Sequence, residues 1–187
     1  MSFIITTDRL MLKVLDAVHA PEVLAFYQQN CTLFDAFEPT RPNNFYTLDF
    51  QTTFMDYEYQ DTVKGKTLRY YIYLKENPDT IIGSVNFSNI MHGPFSRTSI
   101  GYKLDARFHG QGYATEGCLA AIGVIFSNYK IHRIEARVAP ENLPSIHLLE
   151  RIGFLYEGIE YRGVEVNGIF RDHYRYGLLS DSHCIEN

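Results

Sequence analysis

Two glycines, Gly110 and Gly112, stand in the run Arg107-Phe108-His109-Gly110-Gln111-Gly112-Tyr113-Ala114-Thr115-Glu116. The run follows a strand-like segment and opens a helix-like one. A helix N-terminus carries unpartnered N–H groups and the positive end of the helix dipole, which together favour an anion. Glycine has no Cβ, so the backbone can approach that anion closely. Arg107 can add a charge-assisted bond. A pyrophosphate suits this chemistry. A Walker A loop is excluded, because Tyr113 rather than Lys follows Gly112. A dinucleotide fingerprint matches in part, as Gly110-x-Gly112-x-x-Thr115 with Glu135 about twenty residues on. That fingerprint should open the first βαβ unit of a parallel sheet, and here three meander-like strands come before it.

Other chemistry-bearing residues read more plainly. Asn142 precedes a helix-like run, where an N-cap side chain contributes about 1 kcal/mol. Its amide also has a donor and an acceptor end. Glu116 falls in a first helical turn, where a carboxylate suits the dipole. Asp172 and His173 are adjacent on a strand and point to opposite faces, so they form no dyad. Asp172 reads as a structural hydrogen bonder and His173 stays unassigned.

The elements that must position these residues follow from periodicity and turn chemistry. A first strand, Arg9 to Val14, leads into a helix from Asp16 to Gln29 with Val18, Val23, Leu24 and Tyr27 at helical spacing. Leu33 to Asp61 is aromatic and irregular, broken by Pro39 and Pro42, with a helix from Leu48 to about Tyr59. Three strands come next: Thr67–Leu74, Thr80–Phe87 and Ser96–Leu104. They are punctuated by Asn77-Pro78-Asp79 and His92-Gly93-Pro94, which implies an antiparallel meander. The glycine run then opens a helix over Tyr113–Asn128, with Ala114, Cys118, Ala121, Ile122 and Ile125 on one face. A strand (Arg133–Val138) and a helix (Asn142–Ile152) follow, the helix stopped by Gly153 at a left-handed cap. Val164–Val166, Asn167-Gly168 and Ile169–Arg171 make a terminal hairpin. The order predicts an α/β (α+β) fold, with a mixed, mostly antiparallel central sheet flanked by helices.

At 187 residues the chain fits one domain spanning 1–187. Such a domain can bury roughly 70% of its unfolded surface without staples. Cys31, Cys118 and Cys184 are odd in number, far apart and form no CxxC pair, so neither a disulfide framework nor a metal site is expected. No run reaches the roughly 20 apolar residues that span a bilayer. The N-terminus lacks the features of a signal peptide, and a reducing cytoplasm is the expected home. A net charge of −5 argues against nucleic acid as the main ligand.

The whole chain resembles the GNAT superfamily of N-acetyltransferases, in particular the RimJ/RimL type that acts on ribosomal-protein N-termini. Thr7-Asp8-Arg9-Leu10 resembles that family's opening strand and Ile100-Gly101-Tyr102-Lys103-Leu104 its central strand. Arg107 to Gly112 match its Arg/Gln-x-x-Gly-x-Gly/Ala signature. Asn142-Leu143-Pro144-Ser145 is similar to its Asn-x-x-Ser helix start. Gly153-Phe154 with Glu157-Gly158 resembles its Gly-Phe-x-x-Glu-Gly turn, and Arg171-Asp172-His173 its last strand.

The resemblance implies a GNAT fold and acetyl transfer from acetyl-CoA to a primary amine by direct attack, with no metal. It implies donor-binding roles for Ile100, Gly101, Tyr102, Lys103, Leu104, Arg107, His109, Gly110, Gln111, Gly112, Tyr113, Ala114, Thr115, Asn142 and Ser145. Gly101 would also permit a bulge or splay in its strand. Ser145 is the expected proton donor to the CoA sulfur. The branch's glutamate, counted back from Asn167-Gly168, falls at or beside Glu165, with Val164 one residue nearer strict alignment. A one-residue slip changes the sheet face, so Glu160 stays a candidate. The acceptor is expected to be a protein N-terminal α-amine. A polyamine, amino acid or aminoglycoside N-acetyltransferase, or a non-catalytic acyl-CoA-binding protein, are the alternatives. Leu33 to Asp61 carry six carboxylates (Asp35, Glu38, Asp49, Asp56, Glu58, Asp61) against Arg41 alone. That excess points to a cationic acceptor, a basic protein N-terminus or a small amine. The terminal hairpin offers an edge for a homodimer.

Overall fold

The computed structural model describes residues 2–183; Cys184 lies outside them. Eight strands form one sheet in the order β1-β2-β3-β4-β5-β6-β8-β7. They are β1 (Ile4–Thr6), β2 (Leu10–Lys13), β3 (Leu68–Leu74), β4 (Asn77–Met91), β5 (Arg97–Leu104), β6 (Arg133–Val138), β7 (Leu155–Val166) and β8 (Ile169–Leu179). Only β5 and β6 run parallel; every other neighbouring pair is antiparallel. The helices are α1 (Ala20–Gln29), α2 (Cys31–Asp35), α3 (Leu48–Val63), α4 (Tyr113–Ser127) and α5 (Leu143–Arg151). This is the mixed, mostly antiparallel sheet flanked by helices that the sequence predicts.

Helices α4 and α5 cover one face. Cys118, Ala121, Ile122 and Ile125 of α4 and Ile146, Leu148 and Leu149 of α5 pack on Ile72, Val85, Phe87, Ile134, Tyr176 and Leu178. Helices α1 to α3 cover the other face, but only over β3 and β4, where Val23, Phe26, Tyr27, Phe34 and Met55 meet Tyr71, Tyr73 and Ile81. That second core takes no residue from β5 to β8. The same face of those strands carries charged side chains over β5, β6 and the middle of β8, with Val164 and Val166 at the hairpin end.

Local signals fix the ends of several elements. Gly153 takes φ 94° after α5, and Asn167 and Gly168 take φ 52° and 78° in the hairpin turn. Other limits depend on pairing. The β3–β4 turn falls at Lys75-Glu76, ahead of the punctuation at Asn77-Pro78-Asp79. Leu74 pairs with Asn77 and Tyr73 with Ile81, so Pro78 to Thr80 bulge out and the missing proline N–H costs no ladder bond. β1, α2 and the first nine residues of β7 are elements, or parts of elements, that the sequence pattern does not announce.

Candidate active site

The sheet opens beside β5. β5 pairs with β6 only at Arg97–Arg133, Thr98–Ile134 and Ser99–Glu135. On its other side β5 stays paired with β4 through Ile100, Gly101, Tyr102, Lys103 and Leu104. The Asp105 N–H continues that ladder onto Ile82 O at 2.8 Å. Antiparallel alternation therefore turns the backbone groups of Ile100, Tyr102 and Leu104 toward the open edge. An extended amide-bearing chain could pair there. Gly101 faces Asn86, and a Cβ on Gly101 would lie 2.9 Å from Asn86 Oδ1, so this glycine makes room for the amide. The bulge in the β4–β5 ladder falls at Ser88/Met91, not at Gly101.

Across the opening, the Tyr102 hydroxyl lies 2.7 Å from Ser145 Oγ and 3.2 Å from Ser145 O. Burial pushes the Tyr102 phenol well above its ordinary pKa, against a smaller opposite pull from Ser145. The ring thus stays protonated at any working pH. Asn142 caps α5, its Oδ1 accepting from Ser145 N at 3.2 Å. The cap fixes the serine opposite the tyrosine.

Beyond β5 the chain makes the glycine turn. Gly110 and Gly112 take φ 74° and 81°, a left-handed conformation that costs other residues about 1–2 kcal/mol. Gly112 is the N-cap of α4 and has no side chain to cap it, so the N–H groups of the first turn remain open to an anion. His109 Nε2 lies 3.0 Å from Leu104 O, and Gln111 Nε2 donates to Arg107 O at 3.2 Å. Arg107 is turned onto Asp105, with Nε 3.0 Å from Oδ1 and Nη2 2.6 Å from Oδ2. The Arg107 hydrogen bond holds the Asp105 carboxyl below its ordinary range.

Glu116 has a larger part than a helix-dipole carboxylate. It accepts from Thr7 Oγ1 at 2.6 Å and from Arg9 N at 3.0 Å, and pairs with Arg9 Nη2 at 2.6 Å. Arg9 in turn donates to Gln111 O at 2.9 Å and stacks over the Tyr113 ring at 4.5 Å. Burial alone would raise the Glu116 pKa, but the bonds from Thr7 and Arg9 outweigh it and hold the carboxyl low. The β1–β2 corner is thereby clamped to the glycine turn. In the sequence Thr7 and Arg9 stand out only as part of the opening-strand resemblance.

The face not covered by α1 to α3 carries charge. Glu160 pairs with His173 in the β7–β8 ladder and Val164 with Arg171, so four steps along β7 match two along β8. Arg162 bulges at φ 47°, with its N–H bonded to Asp172 Oδ1 at 2.8 Å. Counted from this register, Glu160 lies on the face of Arg137, its partner at 2.7 Å, and Glu165 lies on the opposite face with Phe170. Val164 and Val166 take the cleft-side positions. Val166 is buried where the hairpin tip meets the loop after α2: Thr40 N donates to Glu165 O at 3.2 Å and Asn167 Nδ2 to Asp35 O at 3.3 Å. His173 is buried beside these strands, with Nδ1 3.3 Å from Arg171 O.

The acidic stretch is largely neutralised within the fold. Asp35 and Glu38 pair with Arg41 at 3.1 and 2.7 Å, and Glu38 also with Lys103 at 2.8 Å. Glu58 holds the buried Arg69 at 2.9 Å, and Asp61 faces Lys66 at 4.0 Å. Among the described residues, only Asp49 and Asp56 of this stretch are left as exposed carboxylates without such a pair. The sequence reading of this stretch as a cationic-acceptor wall therefore loses most of its charge. Its partners are distant along the chain and could not be read from composition. Among the described residues no cluster of His, Cys, Asp and Glu could hold a metal, and no helix is long and apolar enough to cross a membrane.

A mixed sheet split between two parallel strands, with a glycine-capped helix beside the split, defines an acetyltransferase of the GNAT class. Comparison with known proteins agrees, and the chain belongs to the family described as "Acetyltransferase (GNAT) domain", whose model matches residues 9–155. The chain is 32% identical to the Bacillus subtilis (strain 168) protein named "Probable N-acetyltransferase YjcK", covering 90% of this chain and 93% of that one. It is 31% identical to the [Ribosomal protein uS5]-alanine N-acetyltransferase of Escherichia coli (strain K12), covering 90% and 87%. The crystal structure of the ribosomal-protein-S5-alanine acetyltransferase from Vibrio fischeri superposes with a TM-score of 0.90 at 23% identity, covering 96% and 98%.

Proposed function

We propose that this acetyltransferase moves the acetyl group of acetyl-CoA directly to the α-amine at a protein N-terminus, of the ribosomal-protein type. One observation carries the choice of amine. Among the described residues, each glutamate on the open face has a cationic partner: Glu38 with Lys103, Glu135 and Glu157 with Arg133, and Glu160 with Arg137. A lysine acceptor, neutral about four times in ten thousand at pH 7, needs a free base, whereas an α-amine is already roughly a tenth neutral. The 31% identity with the uS5-alanine enzyme supports the same choice.

In this reading the open N–H groups of Tyr113, Ala114 and Thr115 with Gly110 and Gly112 hold the donor's pyrophosphate, and Arg107, His109 and Gln111 shape the turn. The free edge of Ile100, Tyr102 and Leu104 pairs with the pantetheine amides, next to Asn142. Gly101 and Lys103 line the other side of the strand. The neutral amine nitrogen bonds to the thioester carbon, the C–S bond breaks, and Ser145 gives its hydroxyl proton to the sulfur while Tyr102 holds the serine in place. The surplus proton of the new amide nitrogen leaves to water, and Ser145 takes one back from water. Glu160 is the carboxylate on the amine's side, and Glu165 is turned from it. Cys118 is fully buried and its thiol is pushed up by burial, which disfavours an acetyl-cysteine route.

The test is acetyl transfer to a peptide with a free N-terminus, set beside an N-blocked peptide that bears a lysine, and spermidine. Transfer to the first alone is expected. Preferential transfer to lysine or spermidine would overturn the reading.

A further inference from the structure

The open face over β5, β6, β8 and β7 carries Arg97, Arg133, Arg137, Arg171 and Arg175 with Lys103, against Glu38, Glu135, Glu157 and Glu160. The chain as a whole has a net charge of −5, so this face runs against its own background. Three of the guanidiniums converge on one oxygen. Glu135 Oε1 lies 3.0 Å from Arg133 Nε, 3.5 Å from Arg97 Nη1 and 4.0 Å from Arg175 Nη2. Arg133 is also paired with both oxygens of Glu157, and this ion pair crosses flat over Gly177, where a Cβ would lie 2.5 Å from Glu157 Oε1. Arg133 is therefore fully engaged.

Arg97 and Arg175 are not. Each reaches a carboxylate oxygen only through a long contact to one already held by another arginine. Arg97 otherwise lies 5.4 Å over the Phe95 ring and Arg175 adds a through-space pull on Glu157, and like charges so gathered repel. Glu135 is 13% exposed, whereas Arg97 and Arg175 are 42% and 43% exposed. The carboxylate lies below and the surplus guanidiniums stand above it.

A groove of about 260 Å³ lies beside this cluster, lined among others by Asn89, Arg97, Ser99, Glu135 and Arg137. Ser99 and Glu135 are the last pair before β5 and β6 part. Gly101 lies two residues further along β5, roughly 7 Å at the strand rise. That is the span of about two extended peptide residues.

Given the N-terminal acceptor proposed above, we infer that this groove takes the residues following the acceptor amine and selects for carboxylates among them. The preferred acceptor is a protein whose N-terminal segment carries Asp or Glu within its first few residues, and Arg97 and Arg175 are the specificity-determining side chains. This is opposite in sign to the basic acceptor that the acidic stretch suggests.

The experiment uses three fluorescently labelled peptides with the same N-terminal alanine, carrying Glu, Gln or Lys at their third and fourth positions. Both kcat/KM and binding anisotropy in the presence of CoA are measured at low salt. The glutamate peptide should exceed the glutamine one by about tenfold in both readouts, and the lysine one should be weakest. The preference should shrink as salt rises. The double variant Arg97→Gln/Arg175→Gln should reduce it to about twofold, and Arg97→Lys/Arg175→Lys should restore most of it. Equal values for the glutamate and glutamine peptides, or a preference for lysine, overturn the inference. If acidic peptides bind in an arginine-dependent way without being acetylated, the groove stands and the N-terminal reading falls. If all three are acetylated alike, the reading stands and the groove's role falls. If none binds, both are overturned.

Discussion

The two sides of the split sheet are built by different means. The side proposed to hold the donor is mostly backbone: two glycines at positive φ, an uncapped helix start, and a strand edge left open where β5 leaves β6. The side proposed for the acceptor is mostly long side chains paired across β5, β6, β7 and β8, whose positions depend on register. Backbone devices need particular residue types at fixed spacing. Ion-pair networks need only that opposite charges meet, wherever they sit in the chain. The first kind can hold a constant ligand, and the second can be retuned for each acceptor.

The comparison is broken most sharply at Ser145, on whose hydroxyl the proposed mechanism relies. Ser145→Ala should lower kcat about 100-fold and leave CoA affinity nearly unchanged, which steady-state rates and calorimetry together would check. Gly112→Ala tests the backbone device itself. At φ 81°, with its Cβ 3.3 Å from Arg9 Nη2, the variant should bind CoA about tenfold more weakly. Tyr102→Phe removes only the hydroxyl that holds Ser145, and should lower kcat about fivefold with the acetyl-CoA KM unchanged.

The legibility of the sequence divides along the same line. Gly110, Gly112, Asn142, Gly153 and Asn167-Gly168 act within a few residues of themselves, and the fold keeps each where the spacing predicts it. The face of Glu165 is not readable from the hairpin alone, because which side of the hairpin faces the cleft is set by the pairing of β8 with β6, and no local pattern carries that. The charge of Glu58 is taken up by Arg69 of β3, a partner that the composition of the acidic stretch does not show. The Glu116 clamp joins residues over a hundred positions apart, from Thr7 and Arg9.

That clamp gives a smaller, pH-dependent effect. Its folded-state pKa is depressed, so its contribution is present above the unfolded carboxyl value near 4.3 and is lost as pH falls through the folded one. Glu116→Gln should cost about 2 kcal/mol at pH 7, roughly 6 °C in Tm, and the difference from the wild type should shrink in acid. The smallest effects belong to the carboxylates of the hairpin. Glu160→Gln should lower kcat/KM for the acceptor about threefold, and Glu165→Gln by less than about twofold, since the register sets them on opposite faces. A larger loss at Glu165 would mean that the hairpin turns over when the acceptor binds.

The most direct measurement is isothermal titration of the purified chain with acetyl-CoA and CoA, with NAD as the control and Gly112→Ala beside the wild type. Saturable one-to-one binding of both CoA ligands, weakened by the glycine substitution and absent for NAD, is the expected result. A folded protein that binds no CoA, or binds NAD in its place, would contradict a donor site at the glycine turn.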